Sequence, residues 1–83
     1  MRISGRPSEV ATTCAAILTH AEGKVAELKS AEEQGRGSVL HRQDWEKVAR
    51  SAREAWHDAN TVIAVSPCAD QLTVEVQIYT VNR

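Results

Sequence analysis

The chain has 83 residues, enough for one domain with a small core. With 42% hydrophobic and 25% charged residues it is neither a disordered polyelectrolyte nor a membrane protein, since no apolar run approaches the ~20 residues of a span. Ten basic against eleven acidic side chains leave a net charge of −1. Residues 1–34 carry four basic and five acidic groups, 35–60 five and four, and 61–83 one and two, so no segment has the one-sided field that draws a protein to nucleic acid or an anionic bilayer.

Arg2-Ile3-Ser4 reads as a short strand before Gly5 and Pro7 interrupt it. The stretch Met1 to Pro7 lacks the apolar core of a signal peptide, so a cytoplasmic location is expected. Pro7-Ser8-Glu9 then reads as a helix start, with Ser8 capping free amides and Glu9 at the positive end of the dipole. Apolar residues follow at Val10, Cys14, Ile17, Ala21, Val25 and Leu28, with Leu18 widening the stripe. Gly23 interrupts this helix, where a bend or a close helix contact is expected. Gln34-Gly35-Arg36-Gly37-Ser38 ends it near residue 33, with glycine available for the left-handed cap.

A second helix is predicted from about His41 to Asn60, capped by Ser38 or the turn after it. Its stripe is Trp45, Val48, Ala52, Ala55, Trp56 and Ala59, and the short connection makes the two helices antiparallel neighbours. After Asn60 the period changes. Thr61 to Val65 is β-branched and continuous, as in a buried strand. Ser66-Pro67-Cys68-Ala69-Asp70 is a turn, and Leu72, Val74, Val76 and Ile78 then alternate with polar residues. The predicted fold is therefore α+β, a single domain of order (β)-α-α-β-β. An antiparallel helical hairpin packs on one face of a two- or three-stranded, mainly antiparallel sheet that includes a β-hairpin between 61–65 and 71–81.

Cys14 and Cys68 form no C-x-x-C pair, and with His20, His41 and His57 they give no zinc-ligand spacing. Reduced thiols are expected, Cys14 part-buried in a helix and Cys68 in a loop. No pattern builds a catalytic triad: His57 and Asp58 are adjacent on a helix, which turns their side chains about 100° apart. The glycines at 35 and 37 lie between helices, outside the context of a phosphate-binding loop. No enzyme, metal or cofactor is read from the chain.

Three groups of residues remain as candidate sites. The strand 71–81 is longer than its mate 61–65, leaving an overhang at 77–82 that residues 2–4 can cover only in part. Gln77, Tyr79, Val81 and Asn82 are thus expected to pair with a second copy or another protein. Trp45 and Trp56 either fill the core or anchor an interface; Trp45, beside Val48, Ala52 and Ala59, is the more internal and Trp56 the candidate contact. Arg36, Arg42, Arg50 and Arg53 form either a phosphate-binding stripe or a set of solvated ion pairs with the interleaved acids. The leading expectation is a small non-enzymatic interaction module of adaptor or inhibitor type, homodimeric through its last strand. Nucleic-acid binding through the arginines is the alternative.

Overall fold

A computed structural model describes residues 1–81; Asn82 and Arg83, and with Asn82 one of the expected pairing residues, lie outside the described residues. The element order is β1 (Arg2–Gly5), α1 (Pro7–Glu33), α2 (Val39–Val65), a 3₁₀ turn (Ala69–Gln71) and β2 (Val74–Gln77). The helices form an antiparallel hairpin, and the two strands make an antiparallel ribbon on one of its faces. This is the expected α+β architecture, in the order β-α-α-β.

Pro7 opens α1 at a position where its missing N–H removes a donor that would otherwise go unpaired. That replaces the expected Ser8 cap. Arg6 is the N-cap residue, no side chain caps it, and Ser8 lies inside the helix, accepting at its carbonyl from Thr12 Oγ1 at 2.9 Å. The other end closes as foreseen. Gly35 has φ +76°, and the amides of Gly35 and Arg36 donate to the carbonyls of Glu32 (3.0 Å) and Ala31 (2.7 Å), the bond pair of a Schellman cap. Gly23 makes no close contact: a Cβ built there meets nothing within 4 Å.

α2 begins two residues before the expected start, with Ser38 as N-cap residue but without a side-chain capping bond. Its far end differs more. Thr61 to Val65 continues the helix and is not a strand. A β-branched residue costs only about half a kcal/mol against Ala in a helix already formed, and each added residue gains a backbone hydrogen bond. Thr61 Oγ1 also donates to the His57 carbonyl at 2.9 Å, and Ala59 and Val62 carry the buried stripe onward.

With that strand gone, the ribbon forms between the first and last elements. Arg2 pairs with Gln77, Ile3 with Val76, Ser4 with Glu75 and Gly5 with Val74. The Met1 ammonium and the Ile78 amide extend the ladder, donating to the carbonyls of Ile78 and Met1, both at 2.8 Å. The strand expected over 71–81 is only the four residues of β2, because Leu72 precedes the ladder and Tyr79 leaves it for α2.

The core comprises Val10, Ala11, Cys14 and Ala21 of α1, Val48, Ala52, Ala55 and Ala59 of α2, and Val76 and Ile78 from the ribbon. Its alanines are small enough to let the helix axes approach closely. The proportions are uneven. Each helix has 27 residues, about 40 Å, whereas the four-residue strands span about 13 Å. The ribbon thus shields only part of one helical face, and the molecule measures 51 × 20 × 13 Å.

Candidate functional site

The expected overhang is met in part from within. Gln77 faces Arg2 and Ile78 exchanges bonds with Met1. Beyond them the Tyr79 amide donates to Ser51 Oγ at 2.9 Å, taking the chain out of the ladder and onto α2. The Tyr79 ring is fixed there by Lys47, whose Nζ stands 5.6 Å from its centroid, and its hydroxyl lies 3.5 Å from Asp44 Oδ1. Val81, expected to pair with an outside strand, is half-buried against the core. The length mismatch that predicted an outside strand along 77–82 therefore does not arise in this topology.

The other edge of β2 has a different status. Antiparallel ladders alternate residues that exchange both backbone bonds with residues that exchange none. Met1 and Ile78 are an exchanging pair, so Ile3–Val76 and Gly5–Val74 exchange as well. The N–H and C=O groups of Glu75 and Gln77 consequently face away from β1, where the sheet has no third strand among the described residues. Both residues are exposed. Glu75 is tied on the outer face to Arg2, Nε to Oε1 at 2.8 Å.

Next to the ribbon's end lies an open trough of about 440 Å³, walled by Ile17, His20, Trp45, Val48, Tyr79 and Val81 among others. Its walls are almost wholly apolar. His20 meets Trp45 edge-on with centroids 5.6 Å apart. Tyr79 and Val81 are thus brought together with Trp45, but Trp56 is not. Trp56 lies outside the trough, 39% exposed, against the edge of His57 at 6.3 Å. Trp45 is the more enclosed of the two, as its stripe implied.

The four arginines of the alternative reading differ in their partners. Arg42 donates to the carboxylates of Glu32 and Glu46, which hold its guanidinium even further above its ordinary high pKa. Arg53 Nη2 stands 3.8 Å from Glu22 Oε2, and Arg36 donates to the Gln34 side chain. Arg50 lines a groove shared with Glu22, Lys29 and Glu46. Arg42 and Arg53 thus stand beside acids, whereas Arg36 is held by a neutral amide and Arg50 only lines the groove.

Cys14 is fully buried and Cys68 exposed, both as free thiols. Burial pushes the Cys14 thiol pKa up, making it a core residue and not a nucleophile. Among the described residues no three His, Cys, Asp or Glu side chains converge as metal ligands, and no helix is long and apolar enough to cross a membrane.

Sequence reasoning missed the Met1–Ile78 closure, the Ser51–Tyr79 bond and the trough. Each joins residues far apart in the chain, and periodicity reports only which face a residue occupies on its own element. No family model, curated protein or solved structure matches this chain.

Proposed function

We propose that this chain is a small non-enzymatic protein-interaction module, of adaptor or inhibitor type, whose C-terminal strand takes up an extended segment of another polypeptide. The observation that carries this reading is the outward edge of β2, where the backbone groups of Glu75 and Gln77 have no strand beside them among the described residues. Folded proteins seldom leave such an edge bare, and main-chain pairing along it is a general route to binding.

Gln77→Pro tests the proposal with little damage to the fold. The Gln77 amide points away from β1, so proline there removes an outward donor and leaves the amides of Val74, Val76 and Ile78 in the ladder. Association of the chain with itself or with a protein is expected to be lost in Gln77→Pro and kept in Gln77→Ala, with the helical circular dichroism signal unchanged in both. Association that survives Gln77→Pro with that signal intact would refute the reading.

A further inference from the structure

Resting on the reading above, we infer that the segment paired along β2 is β2 of a second copy of this chain. The two strands run antiparallel about a two-fold axis through Val76, with Glu75 opposite Gln77 of the other copy.

The register follows from which groups are free. Only odd-numbered residues of β2 direct their backbone outward, so a one-residue slip would set inward-directed groups against outward-directed ones. Three in-phase arrangements have two-fold symmetry near the strand's centre. Glu75 opposite Glu75 places two carboxylates side by side, which is unfavourable. Gln77 opposite Gln77 puts Glu75 against Tyr79, whose amide is already given to Ser51. Glu75 opposite Gln77 joins all the outward groups of both residues in four backbone bonds. It also lets each carboxylate accept from the facing side-chain amide.

The buried face of the ribbon supports the same register. Val76 then faces Val76, and Val74, only half-buried in the single chain, faces Ile78 of the other copy. The dry row beneath the sheet becomes continuous across the seam. The outward edge of β1 offers less, because its inner row contains Gly5 with φ +149° in place of a side chain. The interface is isologous and closes on itself, giving a dimer with a four-stranded sheet.

Light scattering across a concentration series is the main test. The wild-type mass is expected to double from 9.1 kDa, Gln77→Ala to follow it, and Gln77→Pro to dissociate at least about tenfold more readily. Register is tested by disulfide formation in a Cys68→Ser background. A mixture of Glu75→Cys and Gln77→Cys chains should cross-link well above either chain alone, since only the mixture places thiols directly opposite. A wild-type chain that keeps the monomer mass throughout, or equal cross-linking in all three samples, would overturn the inference. If the wild-type chain is monomeric but holds a protein that Gln77→Pro releases, self-pairing falls and the broader reading stands. If Gln77→Pro changes no association at all, both fall.

Discussion

Cys14 shows how one buried residue sets a condition on the whole fold. Its side chain is fully enclosed, and burial raises its pKa above the ordinary thiol value. The unfolded chain can ionise this thiol at a pH where the folded chain cannot. Stability contributed by the neutral thiol is therefore complete below the unfolded pKa and is lost as pH rises from there toward the folded value. The thermal midpoint is expected to fall above about pH 9, and Cys14→Ala should be less stable at neutral pH but lose less over that range. Equal slopes for the two proteins would assign the decline to other groups. The glycines separate in the same way. Gly23 sits in ordinary helical backbone beside open space, so Gly23→Ala should stabilise by about 0.5–1 kcal/mol in denaturant titration. Gly35 has φ +76°, and Gly35→Ala should destabilise by about 1 kcal/mol or more. The Gly35 cap was legible because a glycine after a periodic run has one common reason. Gly23 was less legible because glycine inside a helix has several reasons, and the neighbouring atoms remove one of them, the close helix contact.

At the scale of elements, the informative failure is Thr61 to Val65. Four β-branched residues, Thr61, Val62, Ile63 and Val65, stand next to a helix whose stripe they continue, with Val62 falling at the spacing of Ala55 and Ala59. Composition favoured the strand and spacing allowed the helix, and the helix prevailed because it was already nucleated. The error propagated. Once those residues were assigned to a strand, the last strand acquired a short mate and an overhang, and the free edge was placed at 77–82. In the structure Arg2–Gly5 takes the inner edge of β2, and the unpaired groups move to Glu75 and Gln77. Gln77 belonged to the expected site for a reason that did not survive, and it stays in the proposed one for a different reason. Its own side chain and its hydrophobic pattern are the same in both cases; only the identity of the neighbouring strand changed. Both helices, their antiparallel order and the first strand were readable because each depends on local periodicity and short connections. That residues 2–5 are the whole mate of β2, and not a partial cover beside 61–65, was not readable, because the pairing is fixed by contacts between opposite ends of the chain.

For the molecule as a whole, shape and stability are linked. A radius of gyration of 14.9 Å exceeds the ~12 Å of a compact chain this long, because two helices of 27 residues carry a ribbon of about a third their length. Pairing through β2 would make the folded state one half of an association equilibrium, so its apparent stability should depend on concentration. Each tenfold increase then adds about 1.4 kcal/mol per dimer, or about 0.7 per chain. For a domain of this size that corresponds to a rise of roughly 3–5 °C in thermal midpoint. The wild-type midpoint is expected to climb in this way over concentrations where light scattering shows dimers, while Gln77→Pro stays level at a value near that of dilute wild-type protein. The comparison separates two effects that a single melting curve would merge. A proline that merely weakened the ribbon would lower the midpoint at every concentration and leave the slope in place. One that removes the seam abolishes the slope and leaves the dilute limit almost untouched, so the slope, and not the midpoint itself, decides whether the β2 edge holds two copies together.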